Sequence, residues 1–332
     1  MADEESFVST NTSILIVFRV SITAYFMQNF RQLCIKKNLY LRARIISAIR
    51  VFFETRQYLE VETPYRLPTL APESHIDAEP SGSWFLHTSP ELCMKRLLTA
   101  GYERIFQICR CFRKYERGQK HLPEMTLLEW YGAGVDYQVL MDETEDLVRH
   151  IAETLGLGET LSYQEQTIKI ASPWERLSVR EAFKRFNSIS IEKALSEKRF
   201  DEIMGLSIEP NLGLKKPTFL LDYPVQKGAL ARRKTDEPEI AERFELYISG
   251  LELCNAFSEL TDKKEQRKRF EQEMDFQKAM GKTVYPMPEK FLNSLDRMPP
   301  SAGCALGVDR LVMLFADTPN IDDVVAFTTE EL

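Results

Sequence analysis

Positive charge is concentrated in one stretch of an otherwise acidic chain. The 332 residues contain 43 Lys and Arg against 50 Asp and Glu, a formal net charge of -7. Residues 106–131 (FQICRCFRKYERGQKHLPEMTLLEWY) hold the basic side chains Arg110, Arg113, Lys114, Arg117, Lys120 and His121. The pattern predicts two strands joined by a charged loop, and so dense a cluster of cations favours an anionic ligand. A loop that is charged only because it is solvated is the alternative.

Two carboxylates fall within reach of each other in residues 242–260 (ERFELYISGLELCNAFSEL). Alternating runs flank Ser249 and Gly250, which predicts a β-hairpin with a two-residue turn. In that register Glu245 faces Cys254, and Glu245 and Glu252 are diagonal neighbours about 7–8 Å apart on one face. Such a pair can hold a hard divalent cation of the kind that magnesium phosphate sites require. A half-solvated hairpin with surface acids is the alternative.

The same register separates three further residues from these acids. Asn255, Phe257 and Glu259 point to the opposite face of the predicted hairpin, because side chains alternate along a strand. They can join the same site only if a bulge near Leu253 and Cys254 shifts the alternation by one residue. The sequence leaves both arrangements open.

Two predicted helix starts carry charged residues. Residues 308–315 have an apolar helical pattern after Gly307, with Arg310 in the first turn, where the helix dipole disfavours a cation. A bound anion would explain that arginine. At the other start, Ser89, Pro90 and Glu91 supply an N-cap, a first helical residue and a first-turn acid. Glu91 either compensates the helix dipole or faces a ligand.

The elements that must position these residues follow from periodicity. Residue patterns predict helices at 42–57, 90–99, 137–155, 178–186, 193–205, 261–281 and 308–315. Alternation predicts strands at 58–61, 84–88, 167–170 and 218–222 in addition to the two hairpins, and residues 67–83 and 227–239 are predicted loops. No Walker P-loop, dinucleotide-binding glycine motif or internal repeat occurs in the sequence.

Composition limits the function. A chain of 332 residues, 44% of them hydrophobic, suffices for one large domain. The acidic balance argues against broad nucleic-acid binding, which needs clustered Lys and Arg. The six cysteines include no C-x-x-C pair and have no histidine at zinc-ligand spacing. We therefore expect reduced, mostly buried thiols in a cytoplasmic protein.

The start of the sequence is unlike the remainder. Residues 13–26 are apolar apart from one arginine. The run is shorter than the roughly 20 residues of a membrane-spanning helix and lacks the basic start of a secretory signal. We expect residues 1–40 to be an extension, dispensable up to residue 26, and residues 41–332 to be one domain. No other membrane segment is predicted.

Three stretches together resemble the ordered motifs of class II aminoacyl-tRNA synthetases. Residues 42–64 resemble motif 1, residues 106–131 resemble motif 2 with Arg113 as its arginine, and residues 299–314, with GVDR at 307–310, resemble motif 3. The lysyl branch is nearest, through LEVETP at 59–64, TSPE at 88–91, ERFELY at 242–247 and NAFSEL at 255–260. The resemblance, over residues 41–327, implies an α+β catalytic domain, with an antiparallel sheet of six to seven strands flanked by helices, in a homodimer.

The resemblance also implies a chemistry and a set of residues. Class II synthetases activate an amino acid with ATP and Mg²⁺ to an aminoacyl-adenylate, without a side-chain nucleophile, because the substrate carboxylate attacks the α-phosphorus in line. By position, Arg113 would hold the α-phosphate, Arg310 the γ-phosphate, and Glu245 and Glu252 the magnesium ion. The implied ATP site comprises Arg113, Lys114, Tyr115, His121, Leu122, Met125, Glu252, Leu253, Gly307 and Arg310. The implied amino-acid site comprises Ser89, Pro90, Glu91, Tyr131, Asn255, Phe257, Glu259 and Ala305, with carboxylates that match ammonium groups.

What precedes motif 1 bears on the acceptor. Lysyl-tRNA synthetases carry an N-terminal OB-fold that reads the anticodon, and a five-stranded barrel does not fit into about 40 residues. We therefore expect no OB-fold and no tRNA acceptor. The reduced domain, with Ala305 where the synthetases usually have glycine, resembles the truncated paralogues that attach (R)-β-lysine to a lysine of elongation factor P. The implied substrates are lysine or (R)-β-lysine and, as protein partner, elongation factor P.

Motif 2 departs from the family pattern. The usual F-R-N-E is FRKY at 112–115, with Glu116 one place late, and the usual H-N-P-E-F is HLPEM at 121–125. Met125 replaces the phenylalanine that stacks on adenine, although a thioether can also cover the ring. Tyr115 and Leu122 remove polar contacts to ATP. Either backbone groups hold the adenine, or ATP binds weakly.

Three functions are therefore compatible with the sequence. The first is a lysyl or β-lysyl ligase acting on elongation factor P. The second is a minimal synthetase-like enzyme with an RNA or small-molecule acceptor. The third is a synthetase-like regulatory subunit without catalysis, which the altered motif 2 favours and the retention of Arg113, Glu245, Glu252 and Arg310 opposes.

Overall fold

The two predicted hairpins lie in one large sheet. The computed structural model describes residues 30–228 and 230–332. Its strands are β1 (Leu59–Glu60), β2 (Arg66–Leu67), β3 (Pro80–Ser81), β4 (Trp84–Leu86), β5 (Arg104–Phe112), β6 (Glu124–Ala133), β7 (Thr160–Tyr163), β8 (Gln166–Lys169), β9 (Glu175–Ser178), β10 (Thr218–Pro224), β11 (Ile240–Ile248), β12 (Leu251–Ser258) and β13 (Ser301–Gly307). Its α-helices are α1 (Arg31–Cys34), α2 (Lys36–Thr55), α3 (Glu91–Leu98), α4 (Tyr137–Leu155), α5 (Val179–Phe186), α6 (Ile191–Ser196), α7 (Phe200–Ile203), α8 (Lys263–Ala279), α9 (Glu289–Leu292) and α10 (Val308–Ala316).

The large sheet has eight strands in the order β1-β5-β6-β13-β12-β11-β10-β9. The six central strands are antiparallel to their neighbours, namely β5, β6, β13, β12, β11 and β10. Only the edge strands β1 and β9 run parallel to their neighbours. The predicted α+β fold with a helix-flanked antiparallel sheet is thus confirmed, and residues 30–228 and 230–332 contain no closed barrel.

The sheet has one covered face and one partly open face. On the covered face the main hydrophobic core joins the inner sides of β6, β11, β12 and β13 to helices α2, α4 and α10. On the other face, α3, α8 and α9 pack near the end of the sheet that holds Ile105 and Tyr131. The middle of this second face borders a cavity of about 570 Å³.

Helix boundaries agree with the sequence where capping signals are strong. Helix α4 has the predicted bounds, because the Asp136 side chain accepts hydrogen bonds from the backbone amides of Gln138 and Val139. It ends at Gly156, which has a φ of 78°, a conformation that glycine adopts at no steric cost. Helix α5 begins with the predicted capping box of Ser178 and Glu181.

Other boundaries were predicted wrongly. The helix expected at 193–205 is broken into α6, α7 and a short π-helical turn. The first long helix begins at Lys36 rather than residue 42, and Arg31 in α1 hydrogen-bonds backbone carbonyl groups of Val325 and Ala326. Residues 31–40 are therefore part of the domain. The remainder of the predicted extension, residues 1–29, lies outside the described residues.

Helix length and polarity also bear on membrane association. Among the helices formed by residues 30–228 and 230–332, none combines the length and the apolar composition that crossing a membrane requires.

Candidate active site

The bulge that the sequence left open is present in the β11–β12 hairpin. The turn residues Ser249 and Gly250 have φ angles of 53° and 67°, as the predicted two-residue turn requires. Tyr247 pairs with Glu252, but the next pair is Leu246 with Cys254, so one extra residue lies in β12. Glu245 therefore pairs with Asn255, and the predicted pairing of Glu245 with Cys254 is wrong.

This bulge brings the predicted residues of β11 and β12 onto the partly open face. Side chains of directly paired residues point to the same face of a sheet. One row across the sheet is Glu245, Asn255, Ala305, Glu129 and Gln107. The adjacent row is Arg243, Phe257, Gly303, Tyr131 and Ile105. Residues from five of the six central strands thus form one continuous floor.

The cavity above this floor collects most of the residues expected to bind ATP. Its lining includes Arg113, Tyr115, His121, Leu122, Met125, Glu252, Leu253, Gly307 and Arg310, together with Asn255 and Ala305. Lys114 is the exception. Its backbone amide donates to the carbonyl oxygen of Asp77 at 2.6 Å, and its ammonium group lies 4.8 Å from the ring centroid of Tyr115. Tyr115 itself is 79% exposed at the rim, with a φ of 68°.

Arg310 lies where the two hairpins meet. Its guanidinium group donates to the carbonyl oxygen of Glu252 at 2.8 Å and to the Glu252 carboxylate at 3.2 Å. It also donates to the carbonyl oxygen of Lys120 and lies 2.6 Å from Nε2 of His121. Burial and the Arg310 charge lower the pKa of His121. A neutral imidazole can accept a hydrogen bond from the guanidinium group, and this contact keeps Arg310 directed into the cavity.

A buried ion pair positions the helix that carries Arg310. The Asp309 carboxylate accepts from the Arg42 guanidinium at 2.6 Å and from the backbone amide of Thr126 at 2.7 Å. The same Arg42 donates to the Thr126 hydroxyl at 2.8 Å. The start of α10 is therefore fixed to α2 and β6, which sets Arg310 against the β5–β6 hairpin.

The end of the floor that holds Glu91 and Glu259 contains a cation that the sequence did not reveal. The Lys95 ammonium, 2% exposed, lies 2.5 Å from a carboxylate oxygen of Glu91 and 2.5 Å from one of Glu259. Burial alone would lower the pKa of Lys95, but the two carboxylates more than offset this and raise it. Apart from this ion pair, no described residue hydrogen-bonds the Glu259 carboxylate. Two of the predicted acids are thus joined through the chain's own ammonium group.

Two further buried acids lie beside this group. Burial and repulsion by Glu91 raise the pKa of Glu129 to about 8 and that of Glu73 to about 7. Glu129 accepts hydrogen bonds from the Ser89 hydroxyl at 2.7 Å and from the Tyr131 hydroxyl at 2.9 Å. Ser89 was predicted as the N-cap of α3, but the helix begins at Glu91 after Pro90, and Ser89 Oγ accepts from the Glu91 amide. The pocket thus holds more carboxylates than cations.

These raised pKa values predict a pH dependence. Between the ordinary carboxyl value of 4.5 and about 8, the folded protein keeps a proton on Glu129 that the unfolded chain has lost. This contribution to stability is complete at low pH and is lost as pH rises through that range, at up to about 1.4 kcal/mol per pH unit. We expect denaturant unfolding of the ligand-free protein to show this decline. The decline should be shallower in Glu129→Gln but should not vanish, because Glu73 and Glu259 also have raised pKa values, and an unchanged slope in that variant would contradict the assignment.

Gly303 is a close-packed position on the floor of the site. A Cβ built on Gly303 would overlap ring carbons of Tyr131 and lie 2.8 Å from a Glu259 oxygen. We expect Gly303→Ala to weaken amino-acid binding and to lower the free energy of unfolding by about 1–3 kcal/mol, as overpacking does. Gly205→Ala is the matched control, because a Cβ there meets nothing within 4 Å. Equal unfolding midpoints for the two variants would refute the close packing.

Three carboxylates lie near the turn end of β11 and β12. Burial and repulsion by Glu245 and Glu252 raise the pKa of Glu209 to about 7. Both oxygens of Glu245 are engaged, by Arg243 at 2.5 Å and by the hydroxyl groups of Tyr223 and Tyr247 at 2.6 and 2.7 Å. Glu252 is the more accessible acid. The all-oxygen donor set fits Mg²⁺, which proteins usually bind through one or two carboxylates together with substrate phosphates.

The four charged residues of the site that the sequence analysis did not identify differ in whether the local sequence indicated them. Lys95 lies one helical turn after Glu91, and Glu129 lies two residues before Tyr131 on the same strand face, so both had a local signal. Glu73 and Glu209 had none, because a loop and a short turn carry them to the floor from distant parts of the chain.

The sequence of the chain matches a known protein family and several known proteins. The family model described as tRNA synthetases class II (D, K and N) matches residues 20–331. Its match begins within the segment predicted as an extension. The chain is 38% identical over 325 residues to the lysine–tRNA ligase of Moorella thermoacetica, covering 89% of this chain and 65% of that protein.

Relatives of the chain's own length carry a different name. The chain is 40% identical over 312 residues to the elongation factor P–(R)-β-lysine ligase of Hamiltonella defensa, covering 88% of this chain and 95% of that protein. The ligase of the same name from Proteus mirabilis is 39% identical over 311 residues, with 87% and 94% covered. The chain thus spans less than two thirds of the lysine–tRNA ligase but nearly all of these two ligases.

Proposed function

Because this chain belongs to the class II tRNA synthetases, we propose that it activates (R)-β-lysine or lysine with ATP and transfers it to a lysine of elongation factor P. Membership of the family gives the adenylate chemistry. The match to the elongation factor P–(R)-β-lysine ligases over 95% of the Hamiltonella protein supports the acceptor. The match to lysine–tRNA ligases supports a lysine-type amino acid.

One observation carries the choice of substrate: the amino-acid pocket has an excess of buried and half-buried carboxylates. Glu91 and Glu259 share the ammonium group of Lys95, Glu73 and Glu129 are repelled by Glu91, and the pKa values of Glu73, Glu129 and Glu259 are raised mainly by burial. An additional cation would relieve this repulsion, because each ionised acid favours a nearby positive charge. A lysine-type substrate brings two ammonium groups, so its binding would supply the positive charge that the pocket lacks.

The residues of the cavity suit the first half-reaction. The substrate carboxylate attacks the α-phosphorus, the bond to the β-phosphate oxygen breaks, and pyrophosphate leaves. We propose that Arg113 neutralises the α-phosphate and Arg310 the γ-phosphate, since a guanidinium group binds phosphate oxygens as a fork. Mg²⁺, when bound by Glu252 with Glu245, would neutralise the phosphate charge. The other proposed nucleotide contacts are Lys114, Tyr115, His121, Leu122, Met125, Leu253 and Gly307.

The second half-reaction requires an amine. The unprotonated amine of the acceptor lysine attacks the carbonyl carbon of the adenylate, the bond to the phosphate oxygen breaks, and AMP leaves while the amine proton goes to solvent. No side chain needs to form a covalent intermediate. We propose that Ser89, Pro90, Glu91, Tyr131, Asn255, Phe257 and Glu259 hold the amino acid in place for both steps.

Ala305 is the proposed determinant of the amino acid's shape. It lies between Asn255 and Glu129 on the floor and lines the cavity. We expect Ala305→Gly to lower the ratio of kcat/KM for (R)-β-lysine over α-lysine by roughly 10-fold or more, because one methyl group in a pocket contributes about 1–3 kcal/mol to discrimination. Pyrophosphate exchange with each amino acid measures the ratio. An unchanged ratio would remove Ala305 from the specificity argument.

Amino-acid-dependent pyrophosphate exchange tests the activation step as a whole. We expect (R)-β-lysine and α-lysine to support exchange, and β-alanine, which lacks the second ammonium group, to fail. Exchange with β-alanine at a rate similar to that with lysine would contradict the role of the acidic pocket. No exchange with any amino acid would favour a non-catalytic subunit.

The setting of the reaction follows from weaker observations. None of the six cysteines, all within the described residues, forms a disulfide, which supports a reducing, cytoplasmic compartment. Helix α2 exposes Tyr40 and Val51, and the adjacent strand exposes Leu59. This apolar surface supports the homodimer that the family resemblance implies.

A further inference from the structure

A second cluster of reactive side chains lies next to the nucleotide cavity. Cys109 and Cys111 are alternate residues of β5, so both side chains point to the partly open face, and His87 reaches them from the segment before α3. All three residues are buried. Among the described residues, they form the only group of three or more His, Cys, Asp or Glu side chains whose ligand atoms all lie within 4.8 Å of one another.

The separations in this cluster are those of atoms that share a metal ion. Two thiolate sulfurs bound at about 2.3 Å to one tetrahedral ion are about 3.8 Å apart, and about 4.0 Å apart in trigonal geometry. A sulfur and an imidazole nitrogen on the same ion are about 3.5–3.8 Å apart. Here the two Sγ atoms are 3.8 Å apart, and Cys111 Sγ lies 3.9 Å from His87 Nε2. These two separations therefore lie at or close to the values for a shared ion, and all three ligand atoms lie within 4.8 Å of one another.

The surroundings also suit a metal. His87 Nε2 lies 2.6 Å from the carbonyl oxygen of Arg110, whereas Nδ1 is buried without a hydrogen-bond partner among the described residues. Binding through Nε2 therefore exchanges this contact for a metal bond, with the ring proton on Nδ1.

The cluster has a soft lining and an access route. Met125 and Leu127 pack against the two cysteines, and both also line the nucleotide cavity. The Tyr65 ring lies 5.1 Å from the His87 ring and is 47% exposed, so displacement of this side chain opens the cluster to solvent. Sulfur and imidazole ligands in an apolar setting select soft ions over Mg²⁺.

We propose that His87, Cys109 and Cys111 bind one thiophilic d¹⁰ cation, Zn²⁺ or Cu⁺, beneath the nucleotide cavity. Binding releases the thiol protons to solvent, so the affinity rises with pH. The sequence spacing gave no sign of this site. Spacing along the chain could not show it, because β5 and the segment before α3 are brought together only by the fold.

Metal titration of the full chain, without a histidine tag and under a phosphine reductant, tests the proposal. Co²⁺ serves as the spectroscopic probe, Zn²⁺ as its competitor, and Cu⁺ is added from a chelator. We expect one equivalent of Co²⁺ with thiolate-to-cobalt charge-transfer absorption, displaced by Zn²⁺ or Cu⁺. A rise in the unfolding temperature of the unmodified chain with Zn²⁺ provides a readout that needs no variant.

Variants locate the ligands. His87→Gln and Cys111→Ser should each weaken binding by more than the about 100-fold that loss of an outer-shell partner causes. Cys93→Ser is the matched control, because Cys93 lies on α3 outside the cluster, and it should retain the site. Absence of both the absorption band and the temperature shift in the unmodified chain would overturn the proposal. So would binding that persists unchanged in both cluster variants.

Discussion

Arg310→Ala is expected to reduce lysine-dependent pyrophosphate exchange by about 10³-fold or more, the range in which a phosphate-binding arginine contributes to phosphoryl-group chemistry. The side chain is removed from a cavity wall rather than from the core, since its exposed fraction is 19% and its partners are Glu252, Lys120 and His121. We therefore expect circular dichroism and the unfolding midpoint to stay close to those of the parent. Steady-state exchange over a range of ATP concentrations is the measurement.

Two controls separate charge from geometry in this experiment. Arg310→Lys keeps the charge but loses the guanidinium fork, so it should recover only part of the rate. Arg176→Ala removes a more exposed arginine, 41% of whose side chain is accessible and whose ion pair with Asp142 lies on the edge strand β9, and it should exchange at the parental rate. Near-parental exchange by Arg310→Ala would refute the proposed γ-phosphate contact.

Lys95→Met is expected to lower the free energy of unfolding by about 3–5 kcal/mol, because it leaves Glu91 and Glu259 without their shared counter-ion in a buried site. Met retains the apolar stem of lysine, so the lost volume is small. Lysine-dependent exchange should also be impaired, since both acids are proposed to orient the substrate. Chemical denaturation, followed with and without lysine, is the measurement.

The size of this effect depends on burial, which a matched pair can show. Lys193 and Glu197 form an exposed i,i+4 pair at 3.8 Å, and Lys193→Met should cost no more than about 0.5 kcal/mol. The double variant Lys95→Met, Glu259→Gln also removes one of the two carboxylates left unpaired and should be more stable than Lys95→Met alone. If Lys95→Met is no less stable than Lys193→Met, the buried ion pair does not contribute as described.

Local sequence signals were sufficient where the chain determines its own geometry. The turn at Ser249 and Gly250, the capping box of Ser178 and the charged first turn with Arg310 depend on neighbours a few residues away, and the structure contains all three. The bulge in β12 could be posed only as a condition, because alternation within one strand cannot reveal where the pairing slips.

Features that depend on strand order were beyond local reasoning. Glu129 becomes a neighbour of Ala305 only because β13 lies between β6 and β12. Glu73 lies in a segment that the sequence identifies as a loop, but the sequence does not show where that loop packs. His87 contacts Cys111 from a different segment of the chain. Position in the family motifs supplied what periodicity could not for Asn255 and Glu259, but it did not reveal Lys95.

The altered motif 2 no longer favours the regulatory-subunit interpretation by itself. Tyr115 lies at the exposed rim of the cavity, and Leu122 and Met125 form part of its apolar wall. Arg113 also lines the cavity. Lost polar contacts at these positions bear on the affinity for ATP, because they leave Arg113 and Arg310, the arginines proposed to bind phosphate, in the cavity lining. We therefore expect a raised KM for ATP rather than a loss of chemistry.

The acceptor is the central claim, and a parallel transfer assay tests it most directly. The protein is incubated with ATP, Mg²⁺ and labelled (R)-β-lysine or α-lysine, and purified elongation factor P and total tRNA are offered separately. We predict label on elongation factor P, with (R)-β-lysine preferred, and none on tRNA. Label on tRNA alone, or adenylate formation without transfer to elongation factor P, would contradict the account.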